Sequence, residues 1–300
     1  METTSKFQQM LQKGQFVIVA ECVPPSRPDA GAVRAAAAAL RGKVDAVGVA
    51  DNRLEIMMSA VATAALLRVE GVEPIVHITT RDRNRIALMS DVLGAHALGL
   101  RNFLCTSGDH QTLGRERASR NVFDLDSVQW LSVLDRLRRE GVLFENGRTI
   151  GACEMCLGAT ANPLADPREM QLIRVGKKVK AGADFLVTQP MFDAEVVGQW
   201  LGSLQEWGVA GKTAILMGIL VVPSAAKARE MREKVPGIVI PDAVIQRLES
   251  VGPDRQKAEA IAIAVEVIGR MRGLTGIRGF YLMTEGDHAA AVDVIERVKM

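Results

Sequence analysis

The sequence predicts a closed (β/α)8 barrel, on three observations. Short apolar runs alternate with longer segments of helical period along the whole chain. Eight such runs occur, and strict strand–helix alternation favours parallel strands joined by right-handed crossovers. The runs are near-continuous in apolar residues, as strands covered on both faces are. Eight units favour closure, and an open doubly wound sheet is the structural alternative. The 300 residues suit one such barrel, which commonly takes about 250 residues or more. The expectation is a single domain over 1–300, without linker, repeat or low-complexity tract.

The elements are expected in this order. Met1 to Gly14 reads as a polar amphipathic helix. FVIVAECV (16–23) is the first strand, and a helix starts near Ala30 after the PPSRP loop, its AAAAAL run (35–40) being good helix former. VDAVGVA (44–50) precedes a helix over 56–69. EPIVHITT (73–80) is the third strand, with Asp82 as candidate cap of the next helix. NFLCTS (102–107) is the fourth, followed by a long loop and a helix near 126–140. RTIGACE (148–154) is read as the fifth strand and LGATANPLADP as a polar loop. DFLVTQP (184–190), TAILMGILVV (213–222) and GIRGFYLM (276–283) supply the last three strands. The long 225–272 connection should hold an extra helix, about 241–249, before the outer helix. A final helix runs from about 286 to 298.

Composition excludes several classes. A net charge of +2 and 4% aromatic residues argue against nucleic-acid or membrane-surface binding. No apolar h-region opens the chain, and no stretch reaches the roughly 18 apolar residues of a membrane span. The four cysteines do not form a small-domain disulfide framework, so reduced thiols and a cytoplasmic location are expected. With 13 Met and a single Tyr, aliphatic and thioether side chains must do most of the packing.

Barrel chemistry sits where the strands end, so polar residues near strand ends are the candidates. Glu21 interrupts the first strand. A carboxylate there is costly unless paired or protonated, and a raised pKa suits a general acid; the alternative is a structural glutamate paired with a barrel arginine. His77, Thr79 and Thr80 end the third strand. Thr106, Ser107, Gly108, Asp109 and His110 end the fourth, Cys153 and Glu154 belong to the fifth as read, Thr188 and Gln189 to the sixth, and Tyr281, Thr284 and Glu285 to the eighth. Asp109 follows a glycine and is a catalytic or a turn aspartate. Gln189 suits a heterocyclic amide or satisfies its own loop. Arg81, Arg83 and Arg85 at a helix start suit a phosphate or form a solvated turn. Cys153-x-x-Cys156 is one pair where zinc wants about four ligands. If Glu21 faces the interior, Cys22 faces the helices, so no metal is expected. Neither a phosphate-binding P-loop nor a GxGxxG dinucleotide fingerprint occurs.

These strand ends resemble the methylenetetrahydrofolate reductases, flavin-dependent (β/α)8 barrels. Glu21 with Pro24-Pro25, Ser107-Gly108-Asp109, Thr188-Gln189-Pro190-Met191-Phe192-Asp193, and Gly218-Ile219-Leu220 with Pro223-Ser224 follow that family's pattern in order, from about residue 15 to 298. The resemblance implies reduction of 5,10-methylenetetrahydrofolate to 5-methyltetrahydrofolate by hydride from a reduced flavin. It implies Glu21 as the acid that helps open the imidazolidine ring, Asp109 beside flavin and folate, and Gln189 and Phe192 on the pterin side. His77, Thr79, Arg81, Ser107, Gly108, Cys153, Asn162, Arg174 and Lys178 fall at positions resembling flavin contacts.

The chain also departs from the pattern. Cys22-Val23 replaces common aromatics, Ser107 a common arginine, and Cys153 a tyrosine. Gln171 and Arg174 stand where the enterobacterial type has an aspartate and an asparagine. Segment 77–99 is more similar to reductases of anaerobes and to those fused to methyltransferases. FAD is the family default, with FMN the alternative flavin. The reductant implied is NAD(P)H or a cysteine-rich iron–sulfur partner subunit, and a homo-oligomer is compatible. Two other functions stand beside this one: a flavin-free barrel lyase or pterin-dependent methyltransferase, and a folate-binding or electron-relay subunit.

Overall fold

The computed structural model describes residues 5–53, 55–144 and 147–299; the first four residues of the expected N-terminal helix lie outside them. Eight parallel strands close into a barrel: β1 (Val17–Cys22), β2 (Ala46–Val49), β3 (Pro74–Thr79), β4 (Asn102–Thr106), β5 (Cys156–Ala161), β6 (Phe185–Pro190), β7 (Ala214–Leu220) and β8 (Ile277–Met283). Strand β1 pairs with both β2 and β8, which rules out the open sheet. Helices α1 (Lys6–Gln12), α2 (Ala30–Leu40), α3 (Ala60–Val69), α4 (Arg85–Ala97), α5 (Ser127–Glu140), α6 (Arg168–Lys180) and α7 (Ala194–Glu206) precede β7. Between β7 and β8 come α8 (Ala225–Lys234), α9 (Asp242–Glu249) and α10 (Gln256–Met271), and α11 (His288–Lys299) ends the chain. The long connection therefore holds α8 as well as the expected α9.

Side-chain alternation sorts the strands into two cores. Val17, Val19, Ile75, Leu104, Phe185, Val187, Leu216 and Tyr281 pack inside the barrel. Ala20, Cys22, Val47, Val76, Phe103, Leu157 and Phe280 face the helices. Cys22 and Cys105 thus point away from the interior, and among the described residues no cluster suited to a metal exists.

Filling the interior is a steric problem, solved with two rings and two glycines. The phenol of Tyr281 reaches across to β2, where a Cβ on Gly48 would stand 1.9 Å from its oxygen. The ring of Phe185 lies against Gly158 of β5, where a Cβ would meet it at 2.2 Å. Below it, Phe7 of α1 packs edge-on at 5.2 Å between centroids and is fully buried. Helix α1 is fixed under the barrel by Ser5, whose hydroxyl donates to the Asn102 side chain at 2.6 Å.

The fifth strand is a correction. Residues 148–154 do not enter the barrel; Arg148–Thr149 pairs antiparallel with Val142–Leu143 as a hairpin outside it. The strand is Cys156–Ala161, which from Leu157 onward falls in the segment read as a loop. Its small residues are what the Phe185 ring requires of its neighbour. Helix α4 is capped by Asn84, not Asp82: the Asn84 side chain accepts from Ala87 N.

Gly158→Ala is expected to destabilise the fold by about 1–3 kcal/mol through overpacking. In a Phe7→Ala background that cost should shrink, because the Phe185 ring gains room to move. Urea unfolding of the four proteins measures this, and strict additivity would show that the ring is not wedged.

Candidate active site

A cleft of about 890 Å³ opens at the C-terminal ends of the strands. Its floor is the upper layer of the barrel interior: Glu21, His77, Thr79, Leu104, Val187 and Tyr281. Its walls come from the loops after β2 and β4 and from α8. Of the residues expected at a site, Glu21, His77, Thr79, Arg81, Ser107, Gly108, Asp109, Arg174, Lys178 and Gln189 all line it.

Glu21 follows Val17 and Val19 on the inward face of β1. Its side chain is 7% exposed and its Oε2 lies 3.3 Å from Arg53 Nη1. Burial pushes its pKa up, the Arg53 guanidinium pulls against this, and Glu285 adds to the rise. Arg53 is the barrel arginine of the alternative reading, yet it is shared: the same Nη1 stands 3.0 Å from Glu285 Oε1. Beneath Glu21, Tyr281 and His77 are joined by a 2.9 Å hydrogen bond between Oη and Nε2. Burial lowers the His77 pKa to about 3 and raises that of Tyr281 well above its usual value, so both are neutral at physiological pH.

Asp109 stands at the rim. Gly108 before it has φ +81° and its missing Cβ would meet Thr79 Cγ2 at 2.3 Å, so glycine is needed both for the backbone and for the close approach. Burial raises the Asp109 pKa, and Arg81 and Arg53 oppose it. Gln189 reaches the cleft beside a register shift between β6 and β7. The Thr188 hydroxyl stabilises this bulge, accepting from Gly218 N at 2.9 Å and donating to Gln189 O at 2.8 Å.

The arginine run after β3 does not form a phosphate site. All five N–H groups of Arg81 are used: Nε and Nη2 on the Asp82 carboxylate, Nη2 also on Asn52 O, and Nη1 on Arg53 O and Asp109 O. Arg83 grips the buried Asp51 carboxylate through Nη1 at 2.7 Å and Nη2 at 3.1 Å, and Asp51 also accepts from Thr79 N. Arg85 pairs with Asp124. These side chains tie the loops after β2, β3 and β4 to one another, and Arg81 has no donor left for a cofactor.

Cations with free donors sit elsewhere. Lys178 of α6 donates to Thr160 O at 2.6 Å, and burial, with Arg174 nearby, lowers its pKa to about 8. Arg174 has no ion pair or hydrogen bond among the described residues. Both line the cleft with Ser127 and Val128, at the start of α5.

Three expected contacts fall outside the cleft lining. Cys153 precedes β5, at the opposite end of the barrel, because the strand begins at Cys156. Phe192 packs against the helix-side core. Asn162 follows β5 and donates weakly to Gly237 O at 3.5 Å. Conversely, sequence reading missed Asp51 and Arg53. The available signal was the charged Asp51-Asn52-Arg53 stretch directly after an apolar strand run.

The family model for methylenetetrahydrofolate reductase matches residues 6–299. A Caenorhabditis elegans protein described as a probable methylenetetrahydrofolate reductase (NADPH) is 26% identical over 201 residues, 67% of this chain and 28% of that protein. Methylenetetrahydrofolate reductase 1 of Schizosaccharomyces pombe is 24% identical over 233 residues, 76% of this chain and 36% of its own length. The chain thus spans about a third of these relatives. Among solved structures, a Clostridium thermocellum protein that binds two copies of 5-methyl-5,6,7,8-tetrahydrofolic acid aligns with TM-score 0.67 and 12% identity, over 98% of each chain. A 2,3-dimethylmalate lyase aligns with TM-score 0.52 and 14% identity, over 96% of this chain and 83% of the lyase. At these identities the two structures establish the fold.

Arg81→Lys cannot reproduce the planar fork and is expected to cost about 2–3 kcal/mol, with faster amide exchange at 51–53 and 107–110; unchanged exchange would show that the fork does not tie these loops. The Lys178 amine is expected to titrate near pH 8 by NMR of its ε-methylene, below the ordinary 10.5. The unfolded chain holds this proton between those values while the folded chain has released it. The group's contribution to stability therefore rises with pH through that window and is least favourable below it. Pyrophosphate bound beside the amine should raise the midpoint, and an unmoved midpoint would remove Lys178 from any anion-holding set.

Proposed function

This chain belongs to the methylenetetrahydrofolate reductase family, and from that premise we propose that its cleft reduces 5,10-methylenetetrahydrofolate to 5-methyltetrahydrofolate, with a flavin as hydride source and Glu21 as general acid. The observation that carries this reading is Glu21 itself, a carboxylate on the inward face of an apolar strand with its pKa raised by burial. Only a protonated carboxyl can serve as acid near neutral pH.

The residues present fit a flavin. The cleft has the volume of a cofactor site. Lys178 and Arg174 suit its phosphate end, whereas Arg81 does not. Thr79, Ser107, Gly108 and the neutral His77 offer hydrogen-bonding groups and a surface without a Cβ. FAD is the form proposed, and mass measurement of the extracted flavin separates it from FMN. When bound, the flavin supplies hydride; the protein supplies orientation and the proton. Glu21 protonates the amine that leaves the methylene carbon as the imidazolidine ring opens. Gln189, held outward by the bulge, hydrogen-bonds the pterin amide edge. Asp109 at the rim would offer its carboxylate to the bound cofactor and folate. A nicotinamide reductant delivers the electrons, and anaerobic mixing with NADH and NADPH tests it: failure of both directs attention to a partner subunit.

Glu21→Gln keeps the size and removes the acid. Methylenetetrahydrofolate reduction is expected to fall by about 10²–10⁴-fold while the protein stays yellow with bound flavin. Undiminished turnover would sink the assigned role.

A further inference from the structure

Two carboxylates and one guanidinium meet beside the cleft floor. Arg53 Nη1 lies 3.3 Å from Glu21 and 3.0 Å from Glu285. Its two N–H bonds can serve both, but they divide one positive charge. With both carboxylates ionised the group carries net negative charge in a poorly hydrated place, and taking up one proton relieves it. The side chains differ in hydration: 7% exposed for Glu21, 29% for Glu285. Glu21 is the more buried of the two, and burial raises its proton affinity.

Glu285 has φ +51°, in the left-handed region where glycine or asparagine is favoured. From that turn its carboxylate reaches Arg53. Asn52, before Arg53, has φ +30°, and the carbonyls of Asn52 and Arg53 are both gripped by Arg81. Two fixed turns, one after β2 and one after β8, thus present Arg53 and Glu285 to each other above Glu21. The other groups facing this cluster do not supply a competing charge. Tyr281 and His77 are neutral, Asp51 is paired with Arg83, Asp109 feels Arg53 only as a secondary influence behind burial and Arg81, and Cys22 faces the helices.

We propose that Glu285 is a positioning residue for the proton donor: by engaging Arg53 it prevents an exclusive Arg53–Glu21 pair and keeps Glu21 protonated at neutral pH. The proposal rests on the acid role of Glu21 given above. In the step, the Glu21 O–H bond breaks as an N–H bond forms on the departing amine. Arg53 then faces the new carboxylate until water from the cleft returns a proton.

The test compares Glu285→Gln, Arg53→Met and wild type by infrared difference spectroscopy of the protonated carboxyl band, with Glu21→Gln as the blank that assigns it. In Glu285→Gln the Glu21 midpoint should fall by about one pH unit, and turnover above both midpoints by about tenfold, recovering at lower pH. In Arg53→Met the midpoint should rise. Unmoved midpoints in both variants would overturn the proposal, as would a pH-independent loss confined to KM. Midpoints that move as stated while turnover ignores them leave the coupling standing and remove the acid role of Glu21.

Discussion

A closed barrel has an interior that its outer helices cannot reach, so strand side chains and whatever plugs its ends must fill it to the density of a solid core. In this chain that constraint falls on Phe7, Phe185 and Tyr281. Tyrosine occurs once in the sequence, and its ring spans from β8 to β2 over Gly48. Its hydroxyl does not remain stranded there, because His77 meets it. The packing below the cleft and the polarity at its floor are therefore set by the same ring. Under it the interior is apolar; above it polar groups begin.

The top of the barrel would otherwise be a set of separate loops. Arginine forks join them: Arg81 binds the β2 and β4 loops through backbone carbonyls, and Arg83 binds the end of β2 through Asp51. A buried charge of this kind is sustained only when its donors are met, and for Arg81 every one is. Hydrogen bonds to a charged group contribute about 1.5–3 kcal/mol each in favourable cases, which is enough to hold strained turns such as that at Asn52. Catalytic side chains on loops need such support, because a loop by itself does not fix a side chain to within the tolerance of proton transfer.

The same physics explains which parts of the molecule could be read from the sequence. Seven strands announced themselves because Val, Ile, Leu and Phe must cover both barrel faces. The fifth did not, because Cys156–Ala161 is built from Cys, Leu, Gly, Ala and Thr. Its smallness answers a ring 27 residues away, at Phe185, and local pattern carries no trace of that partner. RTIGACE, more β-like locally, contributes only Arg148–Thr149 to a small hairpin outside the barrel. Glu21 was readable because a carboxylate in an apolar run is conspicuous. The arginines at 81, 83 and 85 were visible but their job was not: most of their partners, Asp51, Asn52, Arg53, Asp109 and Asp124, come from other loops. Arg53 went unnoticed for the same reason, since nothing near it in sequence indicates that Glu21 and Glu285 share it.

Glu21 shows why these constraints belong together. Burying it above an apolar interior raises its pKa, but an isolated buried carboxyl would simply stay neutral and could not give up its proton readily. Arg53 makes the ionised form accessible. Arg53 alone would make it permanent, since a lone buried ion pair favours the charged state of both partners. In the role proposed for it, Glu285, better hydrated and bound to the same nitrogen, keeps the balance between these extremes. That balance depends on turns held by Arg81 and on a floor kept neutral by Tyr281 and His77. A change in any of them alters the proton affinity of Glu21 without touching it. The proton affinity of Glu21 is therefore a property of the barrel's upper layer and of the loops clamped over it.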